Sequence, residues 1–208
     1  MQKRNNFLIS ALLAFSGGLQ DAYTYNVRDQ VFANAQTGNF VLMSQNLMSG
    51  NFFRALQFLI PICAFALGIF IAERITHRCK NSQRLVVIGE MLVLFAVGFL
   101  PYRLNALANA LVSFSCAMQL QAFREVCGFP YASTMCIGNL RSVMENLSKY
   151  LRTKEKTALK NAGYVGAIIV IFAIGAGLGG VLSLRWGIST IWLSTAILLL
   201  PLTLARNG

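Results

Sequence analysis

Six blocks of apolar residues decide what this chain can become. They run Phe7–Tyr25, Ala55–Ala72, Leu85–Tyr102, Leu104–Phe123, Ala162–Leu184 and Gly187–Ala205, each 18 to 23 residues long. A helix needs about 20 residues to cross a hydrocarbon core of roughly 30 Å. Only 12% of the 208 residues are charged, about half the share in an ordinary soluble domain. The expected fold is therefore all-α: a polytopic membrane helix bundle with six spanning helices, forming one integral membrane domain over 1–208. Lys3 and Arg4 precede the first block as they would in a signal peptide. No small-residue cleavage pattern follows and Asp21 interrupts the block's end, so a retained helix is expected.

The formal charge of +11 is a matter of topology rather than of nucleic-acid binding. Lys and Arg concentrate in cytoplasmic loops. Six crossings from a cytoplasmic N-terminus put 14 of the 18 Lys and Arg inside, in clusters at Lys3–Arg4, Arg74–Arg84 and Lys149–Lys160, with Arg124, Arg141 and Arg206. Only Arg28, Arg54, Arg103 and Arg185 fall outside. The count requires that residues 31–50 and 131–148 do not cross, because eight spans would move the Arg74–Arg84 cluster outside. Both segments are polar, and backbone and amide groups exposed to lipid are costly. They are expected to be re-entrant, interfacial or buried among the other helices, the alternative being an eight-span bundle with two polar inner helices.

The two polar segments resemble each other. "GNFVLMSQNL" at 38–47 and "GNLRSVMENL" at 138–147 lie 100 residues apart. "FSGGLQ" at 15–20 matches "FSCAMQ" at 114–119, and "FALG" at 65–68 matches "FAIG" at 172–175. The order implies two repeat units, about 7–102 and 104–205. Three spans per unit make the second unit an inverted-topology repeat, an architecture of secondary transporters that bind solute near the midplane. Gly38 and Gly138 are expected to supply a tight backbone at each helix start. Thr37 or Asn39 is a candidate cap, and the positive helix ends favour an anion or a carbonyl oxygen. Asn39 and Asn139 are expected to approach each other at one central site, unless they serve only as caps.

Residues 17–39, "GGLQDAYTYNVRDQVFANAQTGN", carry a longer pattern. Gly17, Gly18, Asp21, Ala22, Tyr23, Val31, Phe32, Thr37, Gly38 and Asn39 match the hallmark of the YoaK family, bacterial inner-membrane proteins of unknown function, which the chain resembles over its whole length. In the second half Thr134 and Gly138 fit, while Ile137 stands where a hydroxyl side chain is usual. The resemblance implies a fold and an inner-membrane location, and no activity.

The candidate solute-binding residues of the first unit are Gln20, Asp21, Tyr23, Asn34, Gln36, Thr37, Gly38 and Asn39. Those of the second are Gln119, Thr134, Gly138, Asn139 and Arg141. Asp21 is read as a proton or cation site, or as an interfacial carboxylate paired with Arg28. Arg141 either grips a substrate carboxylate or phosphate or pairs with Glu145 one helical turn on. Glu90 is placed near the headgroups or against Arg84. Tyr23, Tyr25, Tyr102 and Trp186 suit an aromatic belt. Gly175, Gly177, Gly179 and Gly180 suit close helix packing, and "KYLRTKEKTALK" at 149–160 suits a basic surface helix.

Several classes of chemistry lack their motifs. There is no GxxxxGK phosphate loop, HExxH or Asn-Pro-Ala sequence, and the five cysteines include no CxxC. They read as small buried side chains. His77, the one histidine, lies in a basic loop. No enzyme activity, metal or cofactor is expected. The expected function is a small secondary transporter or channel for a small polar solute. The alternative is a non-transporting membrane protein, either a partner subunit or a lipid-binding element. The lipid bilayer is the expected partner, a homo-oligomer is compatible with the sequence, and nucleic acid is not expected.

Overall fold

The structure is a computed structural model that describes residues 2–204. Arg206 and the Lys3 side chain, both used above for topology, lie outside what is described. Eight α-helices account for most of the chain: α1 Gln2–Val27, α2 Gln36–Met48, α3 Phe52–Arg78, α4 Ser82–Val97, α5 Asn105–Ala122, α6 Cys136–Thr153, α7 Lys156–Trp186 and α8 Ile191–Leu204. The blocks legible in the sequence are α1, α3, α4, α5, α7 and α8, and the two polar segments are α2 and α6.

Side-chain contacts group the helix ends. Glu73 near the end of α3 pairs with Arg124 just beyond α5 at 3.0 Å. Gln83 at the start of α4 donates to the Ala122 carbonyl at 3.2 Å, and Phe7 of α1 packs its ring on Tyr164 of α7. At the opposite end, Arg54 of α3 donates to the Asp29 carbonyl beyond α1 at 2.9 Å. There Trp192 of α8 donates to Phe95 O of α4 at 3.1 Å. The helices α1, α3, α4, α5, α7 and α8 therefore alternate in direction. α1 lies along α7 and α5 along α3, while α2 packs on α3 and α6 on α7. The third pairing sets α4 on α5 and α8 on α1.

Neither α2 nor α6 runs the length of the bundle. After α1, Asp29 and Gln30 adopt left-handed φ of 64° and 58°, turning the chain back inward. Asn34 Nδ2 then donates to the Gly17 carbonyl at 3.2 Å. Gly17 is ten residues from the end of α1, roughly 15 Å down its axis. From this depth α2 returns to the end from which the loop entered. The second loop reverses through a two-residue hairpin, Glu125–Val126 against Phe129–Pro130, which the sequence reading did not anticipate. Its turn residues Cys127 and Gly128 have φ of 55° and 84°, as a tight hairpin turn requires. The loop ends with Thr134, whose methyl group lies where a Cβ on Gly17 would be. The two polar segments enter from opposite ends and meet at Gly17.

The molecule is largely apolar outside and buries many polar groups within its hydrophobic core. Phe40, Phe53, Phe70, Leu92, Phe95, Val170 and Leu184 are exposed. Ser16, Gln20, Arg28, Asn39, Glu90, Asn109, Ser113 and Gln119 are buried. An apolar exterior of this extent, with polar groups turned inward, suits hydrocarbon surroundings rather than water. Two helical runs, Phe52–Arg78 and Lys156–Leu204, are long and apolar enough by themselves to cross a membrane. The other helices of the bundle fall short of that measure for identifiable reasons. α1 and α5 carry Gln20, Asp21, Asn105, Asn109 and Gln119 on their inward faces, and α4 has only 16 residues.

Other expectations change. Residues 149–160 form no single surface helix: α6 ends at Thr153, Lys154 turns with φ 55°, and α7 begins at Lys156. Tyr23 belongs to no aromatic belt, being fully buried with its hydroxyl accepting from Arg28 Nε at 2.8 Å. The glycines of α7 are not equivalent. A Cβ on Gly175 would lie 2.9 Å from the Phe15 carbonyl carbon, and one on Gly179 2.7 Å from Leu19 Cα, whereas Gly177 faces open space. The cysteines also divide, Cys116 and Cys127 being buried and Cys63 exposed.

Candidate functional site

Where the two polar segments meet, the bundle contains a cavity of about 340 Å³. Its wall is made of Asp21, Asn34, Ala35, Gln36 and Thr37 from the first half of the chain and Thr134, Met135, Cys136, Ile137 and Gly138 from the second, with Phe65 and Phe172 beside them, and it is partly open to the outside. The first turns of α2 and α6 thus face one space. Each is the positive end of a helix dipole. Asn34 and Thr134 are both 5% exposed, and Asn34 Oδ1 and Thr134 Oγ1 have no hydrogen-bond partner within the protein. Buried polar atoms are rarely left without a partner. These two stand 100 residues apart in the sequence and line the same cavity.

The loops that carry them are held by a repeated device. Asn39 Oδ1 accepts from Phe32 N at 3.0 Å and its Nδ2 donates to Phe32 O at 2.7 Å. Asn139 does the same to Ala132, at 3.0 and 2.6 Å. Neither asparagine lines the cavity, so their expected approach at a shared site gives way to two backbone clasps. No side chain caps the start of α2. Thr37 faces the cavity instead, and Asn39 reaches back seven residues. Gly38 and Gly138 are not among the positive-φ residues. Gly38 is explained by packing, since a Cβ there would lie 3.0 Å from the Phe32 ring, while Gly138 borders the cavity.

Asp21 is buried at the wall, where its Oδ1 accepts the Asn34 backbone N–H at 2.7 Å. It does not pair with Arg28. That guanidinium, itself fully buried, donates to Tyr23 Oη, to Asn105 Oδ1 at 3.0 Å and to the carbonyls of Val97, Leu100 and Pro101. The carboxylate fixes a loop, and the guanidinium fastens the end of α1 to α4 and α5. Arg141 is far more exposed, at 81%, and pairs with Glu145 at 2.7 Å, outside the cavity wall.

The sequence reading placed Glu90 at the membrane surface, whereas the structure buries it in the bundle. It is 1% exposed, with Arg84 exposed six residues earlier. Gln20 Nε2 donates to Glu90 Oε1 at 3.0 Å and Cys116 Sγ donates to Gln20 Oε1 at 2.8 Å. Gln119 also faces the carboxyl group. Position in α4 hid this site: Glu90 is near the start of its apolar block, but α4 begins three residues earlier than the block and its inward face is enclosed by α5 and α8. The matching glutamines at 20 and 119 were the available signal.

Fold and site together define an integral membrane protein whose paired polar loops border a small, partly open pocket. The family described as "protein of unknown function (DUF1275)" matches residues 9–204, and the chain belongs to it. The protein is similar to the UPF0700 transmembrane protein YoaK of Bacillus subtilis (strain 168), 24% identical over 187 residues, which cover 83% of this chain and 81% of that one. No solved structure matches the chain.

Proposed function

We propose that the protein is a small secondary transporter or channel of the bacterial inner membrane, acting on a small polar solute bound in the cavity between α2 and α6. The observation that carries this reading is that Asn34 and Thr134, each with a buried side-chain oxygen that has no partner within the protein, both belong to the lining of one pocket, at the meeting point of two loops that enter from opposite ends. Asn34 Oδ1 calls for an N–H or O–H donor and Thr134 for either role. The two helix starts favour an oxygen acceptor. Phe65, Phe172, Met135 and Ile137 add apolar walls. A compact organic solute with both donors and acceptors fits this set.

Several features support six spans in two inverted units, with both termini cytoplasmic. The helices α1, α3, α4, α5, α7 and α8 alternate in direction. The Arg74–Arg84 segment shares an end with the start of α1, and the packing pairs correspond under exchange of α1–α4 with α5–α8. The loop clasps correspond as well. In this reading the protein works without cofactor, metal or catalytic step, with lipid as its surroundings and nucleic acid playing no part.

The test is thermal stabilisation of the purified protein across a panel of small metabolites, followed by exchange of the best ligand in sealed vesicles. A ligand whose stabilisation is weakened by Thr134→Val and which exchanges across the vesicle membrane supports the proposal. A ligand that binds without exchanging favours the non-transporting alternative.

A further inference from the structure

Glu90 is held between two glutamines that occupy matching positions in the two halves, Gln20 in "FSGGLQ" and Gln119 in "FSCAMQ". Gln20 is fixed by its other bonds: Nε2 also donates to Ser16 Oγ at 3.0 Å, and its oxygen accepts from Cys116. It presents an N–H to Glu90 in either protonation state. Gln119 is different, because its amide fits in two orientations. In one, Nε2 donates to Ser133 Oγ at 3.1 Å and to Leu13 O at 3.4 Å. The amide oxygen then faces the Glu90 carboxyl group, and two acceptors can sit together only with a proton between them. In the other, Nε2 donates to Glu90 Oε2 and Oε1 at 3.1 and 3.2 Å, and the amide oxygen accepts from Ser133 Oγ at 3.1 Å. That arrangement suits an ionised carboxylate.

We propose that Glu90 is a proton-binding site, and that gain or loss of its proton turns over the Gln119 amide and reverses the hydrogen bond to Ser133. The chemical step is addition of a proton from water to a carboxylate oxygen, with no other covalent bond made or broken. Ser133 precedes Thr134, so the reversal occurs one residue from the cavity wall. The site exists whether or not solute crosses the membrane, and only its link to solute rests on the transport reading.

The surroundings select a proton. The titratable group beside Glu90 is Cys116 on α5, and Asp21 on α1 lies near that same thiol; neither supplies a positive charge. α8 carries no titratable side chain, and the cations Arg74, His77 and Arg78 of α3 and Arg84 of α4 lie at the end of the bundle. Among the described residues no ion pair includes Glu90. A metal cation needs a shell of oxygen ligands, whereas amide N–H groups point at this carboxylate.

The experiment is a pH titration of the purified protein in lipid vesicles, without solute, followed by infrared difference spectroscopy between about pH 5 and pH 9. The expected result is a protonated-carboxyl band that Glu90→Gln removes and Cys116→Ser leaves in place. Gln119→Leu removes the partner of both states and should move the midpoint by about one pH unit or more. Should Glu90→Gln not fold, Glu90→Asp keeps a carboxyl group at shorter reach and should shift the band. A band that survives Glu90→Gln, one that Glu90→Asp leaves unmoved, or a midpoint that Gln119→Leu leaves unchanged would overturn the proposal. Absence of solute exchange in the vesicles bears on the transport reading and does not alter this titration.

Discussion

Asn39 grips the backbone of Phe32 from both sides, accepting from its N–H at 3.0 Å and donating to its carbonyl at 2.7 Å. A side-chain amide offers both roles at this spacing without carrying a charge. It replaces the strand partner that an isolated extended residue lacks. The same grip of Asn139 on Ala132 holds the second loop.

This geometry makes Asn39→Leu a stability variant. Both backbone groups of Phe32 lose their partner, and each buried unsatisfied group costs about 1–3 kcal/mol. A loss of roughly 2 kcal/mol or more is expected on thermal or denaturant unfolding in detergent, with a similar loss for Asn139→Leu. Unchanged stability with loss of ligand binding would contradict the clasp.

Thr134→Val should behave in the opposite way. The hydroxyl has no partner in the protein, so its replacement by a methyl group should leave stability within about 0.5 kcal/mol. Ligand binding should weaken by about fivefold, the equivalent of one hydrogen bond near 1 kcal/mol. Thermal-shift titration of the variant reads both quantities.

Arg28 is expected to tolerate no substitution, not even by lysine. Its fork serves Tyr23, Asn105 and three backbone carbonyls, and an ammonium group cannot match that planar array. Arg28→Met should cost about 3 kcal/mol or more, since hydrogen bonds to charged groups are worth about 1.5–3 kcal/mol each. Arg28→Lys should also lower the unfolding temperature clearly.

The α1–α7 contact gives a paired test. Gly175→Ala drives a Cβ into the Phe15 backbone, which cannot yield as a flexible side chain would, so unfolding temperature should fall. Gly177→Ala meets nothing within 4 Å and should be neutral or stabilising by up to about 1 kcal/mol through helix propensity.

Topology is checked by labelling single cysteines, placed in a cysteine-free background, in intact cells. Lys80→Cys and Lys154→Cys should react only from the cytoplasmic side and Arg103→Cys only from the other. Labelling of Lys80→Cys from outside would remove the six-span arrangement and the inverted repeat with it.

Composition and block length determined by themselves that this is an all-α membrane chain, because a lipid core demands runs of apolar residues whatever the fold. The two similar G-N segments and their polarity were also legible, since an amide in an apolar chain needs a reason wherever it lies. Tertiary structure decided what each polar group is for. Asn39 and Asn34 are five residues apart and chemically alike, yet one clasps its own loop and the other lines the cavity with its oxygen unpartnered. Glu90 lies near the start of its block, and only the packing of α5 and α8 against α4 encloses it within reach of Gln20 and Gln119. Such roles depend on which groups from distant segments come within about 3 Å, the reach of a hydrogen bond. Local periodicity carries no record of that distance.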